Sequence, residues 1–204
     1  MTVGVSNGSL NNAAIQYHQY EDGICTLCQQ QKSPLTFTLD EFGREYMVSA
    51  CDTSVSGALV IPATYNDLPV TCIGDRAFSD CTGLTEITIP DSVDTIGYRA
   101  FENCTALKTV TFAEGSVMTV LGTNTTANDN IFKGTTALET VTLPMSLELI
   151  GGHVFENSGV QKIYQNNGIE EVSLPAALTT IGEYAFTGCT SLKSITIPKG
   201  VKEI

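Results

Sequence analysis

The residues with the most chemical capacity lie near the start of the chain. His18, Cys25 and Cys28, in HQYEDGICTLC, have the look of half a zinc ribbon, because a CxxC turn can aim two thiolates at one tetrahedral metal. A structural zinc site needs four ligands. No second CxxC occurs, so the set would have to recruit Cys51 or a neighbouring molecule. The favoured reading is a disulfide or free thiols in a linker, with no metal or other cofactor. Gly4-Val-Ser-Asn-Gly8 matches the GxSxG pattern of a nucleophile elbow, but that elbow needs a strand before it and a helix after it, and neither is indicated. Only two histidines exist, His18 and His153, and neither has a recognisable catalytic partner. There is no Walker loop, no HExxH and no spaced carboxylate pair suited to acid and base roles, so the chain reads as a non-enzyme.

Composition narrows the partners. The net charge of -12, from 22 Asp and Glu against 10 Lys and Arg, repels nucleic acid and anionic lipid headgroups alike. No run of about 18 apolar residues is present, so membrane insertion is not expected. The opening MTVGVSNGSLNN lacks the apolar centre of a signal peptide, so either an export signal was removed or the chain stays inside. Seven cysteines without paired spacing argue against a dense disulfide framework.

One phrase organises the rest of the chain. Leu84–Cys104 reads LTEITIPDSVDTIGYRAFENC and Ile169–Cys189 reads IEEVSLPAALTTIGEYAFTGC, giving the shared form LxxIxIPxxVxxIGxxAFxxC. Its Phe recurs at Phe78, Phe101, Phe132, Phe155 and Phe186, at intervals of 23, 31, 23 and 31 residues: a period of 23 with two insertions of eight. In LxxIxI, positions 1, 4 and 6 can point inward, while position 5 must point out because strand side chains alternate. Pro90, Pro144, Pro175 and Pro198 end that strand, since Pro has no donor to continue the ladder. Gly74, Gly97, Gly151 and Gly182 turn the chain where a side chain would crowd it, and the Phe residues are expected to stack as an internal column. No single copy can bury its own apolar face, so about six copies, the last incomplete, must stack at strand spacing into a solenoid.

Two copies carry the insertions. In FAEGSVMTVLGTNTTANDNIF, Ala113 replaces the usual Pro and a polar loop over 123–130 delays the Phe. The second insertion, VQKIYQNNG over Val160–Gly168, precedes Ile169; insertions of this sort read as loops, which offer a binding place besides the concave sheet, or as drift without a role. Ahead of the repeats, LTFTLDEFGREYMVSACD alternates apolar and polar residues around a turn at Asp40–Arg44, which predicts a β-hairpin capping the stack. The expected organisation is a partly disordered linker over 1–33, with disorder over 1 to about 16, a hairpin cap over 34–56 and leucine-rich repeats over 57–204. Because the last copy stops in mid-repeat at Ile204, a continuation is expected.

The period and the phrase resemble the BspA-type leucine-rich repeats, whose hallmark is nearly LTEITIPDSVDTIGYRAFENC; the likeness runs from Gly57 to Ile204, and VIPATYNDLPVTCIGDRAF is similar to that family's first repeat. The resemblance implies a right-handed leucine-rich repeat solenoid, a strand plus a short helical or irregular return per repeat. It also implies a secreted or cell-surface protein of host-associated bacteria or some protozoan parasites, extracellular in location and acting by adhesion or protein binding. A protein or glycan ligand is the expected partner, and a monomer the default oligomeric state.

Within that scaffold the candidate site is the exposed position 5 of each strand. Val60, Thr88, Thr111, Thr142, Ser173 and Thr196 should form one column along the concave sheet, flanked at position 3 by Glu86, Thr109, Thr140, Glu171 and Ser194. Threonine hydroxyls offer adaptable hydrogen bonding to a ligand, although Thr is also simply a good exposed-strand residue. Three residues after each Phe comes a column of small side chains, Cys81, Cys104, Thr135, Ser158 and Cys189, read as core filling with the thiols reduced.

Overall fold

The computed structural model describes residues 33–123, 128–165 and 173–204, together with the backbone of Tyr20, Glu21, Ile24 and Cys25. The chain divides into two units, Met1–Pro34 and Leu35–Ile204. In the first, β1 (Tyr20–Glu21) pairs antiparallel with β2 (Ile24–Cys25). His18, Cys28, the GVSNG stretch and the segment expected to be disordered lie outside the described residues.

The second unit opens on an antiparallel hairpin, β3 (Leu35–Leu39) and β4 (Tyr46–Cys51). Asp40 builds its turn: the carboxylate accepts hydrogen bonds from the amides of Phe42 at 3.3 Å, Arg44 at 2.5 Å and Glu45 at 3.1 Å. A short polar side chain bonding its own following backbone is what lets such a turn form without help from the core. After β5 (Ser56–Val60) comes a second hairpin, β6 (Thr64–Tyr65) and β7 (Leu68–Ile73), turning through Asn66 and Asp67, both at positive φ. Strand β4 runs parallel to β7, so the N-terminal hairpin docks on β7 and not on β5. Phe37, Tyr46 and Tyr65 tie the two hairpins together, Phe37 stacked on Tyr65 at 4.1 Å and Tyr46 edge-on to Tyr65 at 5.0 Å.

From there the chain coils. The remaining strands are β8 (Gly83–Ile89), β9 (Thr95–Ile96), β10 (Thr109–Phe112), β11 (Val120–Leu121), β12 (Thr140–Leu143), β13 (Leu149–Ile150), β14 (Lys162–Gln165) and β15 (Thr180–Ile181). Strands β5, β8, β10, β12 and β14 form one five-stranded sheet in sequence order, parallel throughout. On the return side β11, β13 and β15 form a smaller parallel sheet, and β9 pairs with β7. The molecule is thus a β-solenoid of leucine-rich repeat type. Among the described residues the returns are turns and short strands with no helix, so of the two expected forms, helical or irregular, the irregular one is found.

Inward side chains follow the spacing of the phrase. Ile87, Val110, Val141 and Ile163 fill position 4, and Ile89, Phe112 and Leu143 position 6, all buried. Each strand ends in the same turn, closed by the amides of Val93, Leu147, Leu178 and Val201 donating to the carbonyls of Pro90, Pro144, Pro175 and Pro198. In the odd copy Ser116 donates to Ala113 in the same way, so that turn forms without its proline. The five phenylalanines stack as an unbroken column, with centroids 4.8, 5.2, 5.4 and 5.4 Å apart and planes within 13° of parallel.

The turn that carries each Phe is held by the next coil. The amides of Arg76, Phe78 and Asp80 donate to the carbonyls of Tyr98, Ala100 and Glu102, and Arg99, Phe101 and Asn103 repeat the pattern onto Asp129, Ile131 and Lys133. Two residues of every turn are left-handed: Arg76, Arg99, Asn130, His153 and Tyr184 at one position, and Asp80, Asn103, Gly134, Asn157 and Gly188 four residues on. The glycine before the turn answers a different need. A Cβ at Gly97 would lie 2.6 Å from the Asp75 amide nitrogen, and one at Gly182 would lie 2.5 Å from the Gly151 carbonyl carbon. Coils approach too closely there for any side chain.

The second insertion is corrected by the structure. Lys162–Gln165 is not a loop ahead of the next strand; it is β14, paired in register with β12. The physical reason is that Val160 and Ile163 keep the three-residue spacing of positions 1 and 4, and both are buried. Two inward aliphatics suffice to hold a strand on the edge of a growing parallel sheet.

Candidate functional site

The register of the five-stranded sheet assembles its outward side chains into two rows. Val60 pairs with Thr88, Thr88 with Thr111, Thr111 with Thr142 and Thr142 with Tyr164. Two residues back, Ala58 pairs with Glu86, Glu86 with Thr109, Thr109 with Thr140 and Thr140 with Lys162. Neighbours within a row are therefore about 4.8 Å apart across strands, and the rows about 6.6 Å apart along them.

Thr88, Thr109, Thr111, Thr140, Thr142 and Tyr164 are half-buried against one another, and Val60, Glu86 and Lys162 are exposed. Among the described residues none of the hydroxyls of Thr88, Thr109, Thr111, Thr140 and Thr142 is engaged by a side chain or backbone group. A hydroxyl carries one donor and two acceptor positions, so this face offers many to a ligand at fixed spacing. Opposite charges stand in the second row, Glu86 on β8 and Lys162 on β14.

The other residues expected here divide. Ser173 is 7% exposed; its amide donates to the Ile163 carbonyl and its hydroxyl accepts from Gln165 Nε2 at 2.7 Å, so it is sealed within the sheet edge and does not present itself to a ligand. Thr196 is exposed and faces Ser173 across an isolated parallel bridge, with Ser194 exposed two residues before it. Glu171 lies outside the described residues. Tyr164 and Lys162 fall in an insertion and so lie outside the columns that the repeat phrase marks; the signal that points to them is VxxI within VQKIYQ.

The column of small side chains is a hydrogen-bonded spine. Cys104 Sγ donates to the Phe78 carbonyl and Cys189 Sγ to the Phe155 carbonyl, each at 3.0 Å, and Thr135 Oγ1 donates to the Phe132 carbonyl at 2.7 Å. Cys51, Cys72, Cys81, Cys104 and Cys189 are free thiols. Burial pushes Cys104 up to about 12 and Cys72 up to about 11, and it raises Cys189 as well, which keeps all three protonated and unreactive at neutral pH. Among the described residues no group of three or more His, Cys, Asp or Glu side chains converges as metal ligands would. Of the weak metal candidates, Cys25 falls in β2 by its backbone alone, and His18 and Cys28 are outside the described residues.

A second column, half-buried except at Arg76 and Tyr184, runs along the Phe-bearing turns. Arg76 and Arg99 lie over the Tyr98 ring at 5.4 and 4.7 Å, and His153 stacks on Tyr184 at 4.9 Å. His153 does have a partner: its Nδ1 is 3.0 Å from Glu156 Oε2, an oxygen that Lys133 Nζ also approaches at 2.9 Å. The lysine, and after it the histidine, holds the Glu156 carboxyl below its ordinary range. A carboxylate shared between two basic groups is a surface clamp between coils. Two hollows lie away from the threonine rows: one of about 550 Å³ beside Ala113–Ser116 and Pro144–Ser146, the other of about 500 Å³ beside Ile181–Thr187 and Ile204.

A parallel solenoid built on this recurring phrase defines a leucine-rich repeat domain. The chain matches the BspA type leucine rich repeat region in 6 copies, over residues 60–164 and 160–204, and it belongs to that family. It is similar to the T. pallidum leucine rich repeat protein, with TM-score 0.70 and 26% identity over 83% of this chain and 71% of that one. It is also similar to leucine-rich repeat proteins of Bacteroides ovatus (TM-score 0.59, 28% identity, 83% of this chain and 47% of that one) and Bacteroides capillosus (TM-score 0.55, 29% identity, 68% and 98%). No curated protein sequence matches it. The likenesses are to bacterial leucine-rich repeat proteins, and against the Bacteroides ovatus protein the chain spans less than half the length.

Proposed function

We propose that the chain is a non-catalytic binding module of a secreted or cell-surface bacterial protein, docking a protein or glycan ligand on the outer face of the five-stranded sheet. The observation that carries this reading is the pair of in-register rows from Thr88 to Tyr164 and from Glu86 to Lys162, with threonine hydroxyls that the fold itself leaves unused. Hydroxyls consumed by the scaffold, as at Thr135 and Ser173, would argue the opposite. Repeat stacks bind along such continuous faces because each coil adds the same positions to a growing surface. The net charge of -12 favours neutral or basic ligands over nucleic acid.

The test is a screen of plasma and matrix proteins and a glycan array, followed by Thr111→Arg with Thr142→Arg. Loss of capture with unchanged thermal unfolding supports the reading; unaltered capture moves the site elsewhere. A structural or targeting role within a longer protein whose activity lies in another domain is the second reading, favoured by a screen in which the chain retains nothing.

A further inference from the structure

Cys51 ends β4 of the N-terminal hairpin and Cys81 closes the turn of the first coil, in the layer directly beneath. The backbone joins those layers at this point, the Cys51 amide donating to the Ala77 carbonyl at 2.7 Å. Both thiols converge on a single acceptor, the Asp52 carbonyl oxygen, Cys51 Sγ at 3.6 Å and Cys81 Sγ at 4.0 Å. The next thiol along the column is held elsewhere, because Cys104 Sγ donates to the Phe78 carbonyl at 3.0 Å and is fully buried. Cys51, in contrast, is half-buried, so a small reagent reaches the pair from its side.

We propose that Cys51 and Cys81 are a redox pair that closes into a disulfide when the protein meets a small-molecule disulfide such as oxidised glutathione, clamping the N-terminal hairpin to the first coil.

The ionisation of the pair suits this chemistry. Its protons belong to the two thiols jointly: the hydrogen bond from Cys51 lowers the pKa of Cys81, so the first proton leaves more readily, and the second, on Cys51, is held more tightly. The thiolate of the pair attacks one sulfur of the oxidised glutathione, forming a mixed disulfide and releasing one glutathione thiolate. The remaining thiol gives up its proton and attacks the protein-side sulfur, and the second glutathione thiolate leaves. Two protein thiols are thereby oxidised, one glutathione disulfide is reduced, and the two protons end on the two glutathione molecules. The bond closes a loop that contains β5, β6 and β7 and so restricts the unfolded chain.

The full chain is incubated with oxidised glutathione under native conditions, free thiols are alkylated, and linkages are assigned by fragmentation mass spectrometry beside a thermal melt with and without reductant. The expected result is a Cys51–Cys81 link with the loss of two hydrogens, a Tm raised by roughly 5–10 °C and returned by reductant. That shift persists in Cys104→Ser and is absent from Cys51→Ser, which also discounts any bond formed by Cys25 and Cys28. A stable glutathione adduct on Cys51, a link from Cys81 to Cys104, or unmodified thiols at both positions would overturn the proposal. The mapping is made on the parent protein, so it decides the matter even if Cys51→Ser fails to fold.

Discussion

Phe78 and Phe101 are 23 residues apart in the chain and stack with ring centroids 4.8 Å apart, 13° from parallel. That separation is the spacing of neighbouring strands, so one turn of the solenoid advances by one strand and the two rings report the coil pitch directly. The column they begin is the main aromatic content of the core, and it is where large-to-small substitutions cost most.

Phe101→Ala and Phe155→Ala should each destabilise the protein by about 3–5 kcal/mol, since both rings are fully buried between two others and a cavity would remain. Phe186 is only partly buried at the end of the column, so Phe186→Ala should cost less. Urea unfolding of the three variants orders them; equal costs would show that the stacking carries no weight.

Gly182→Ala places a Cβ 2.5 Å from the Gly151 carbonyl carbon, a backbone atom that cannot move aside as a side-chain tip could. Overpacking of this kind costs about 1–3 kcal/mol, read as a lower denaturation midpoint. A midpoint equal to that of the parent would mean the coils separate more easily than the geometry indicates.

Asn103 occupies a left-handed turn position at φ 60°. Asn103→Gly should be nearly neutral, whereas Asn103→Val, β-branched and poorly suited to positive φ, should lose about 1–2 kcal/mol. Thermal melts of the two variants side by side provide the comparison, and a Val variant as stable as the Gly variant would contradict it.

Glu156 supplies a pH dependence. Lys133 and then His153 depress its folded pKa below the reference 4.5, so its stabilising contribution is present above about pH 4.5 and is lost as pH falls through the lower folded value. Glu156→Gln should flatten the acid limb of a stability profile taken from pH 6 to pH 2. An unchanged limb would assign acid sensitivity to other carboxylates.

Much of this fold was legible because the repeat states each requirement several times over. The inward aliphatics, the strand-ending prolines and the phenylalanine column all recur at fixed positions, and Ala113 shows that the turn survives where one signal is missing. Strand β14 was not legible. VQKIYQ lacks both the proline and the Ala-Phe pair, leaving only Val160 and Ile163 to mark it, so the phrase alone carries the outward row from Thr142 to Ser173 and passes over Tyr164. The left-handed turn positions were hidden for another reason. Arg76, Arg99 and Tyr184 are not residue types that favour positive φ, and the backbone ladder between coils imposes it on them. The nearness of Cys51 to Cys81 is not legible because Cys51 lies outside the repeats, and its place depends on how the hairpin docks.

The central functional claim is that ligand meets the sheet face and not the turns, and a site-placed photocrosslinker measures this most directly. A benzophenone amino acid is introduced at Thr111, on the sheet, and in a second protein at Tyr184, which is 60% exposed on a turn, and each is irradiated with a ligand recovered from the screen. The account predicts a covalent adduct from position 111 and none from position 184; an adduct from 184 with none from 111 would contradict it.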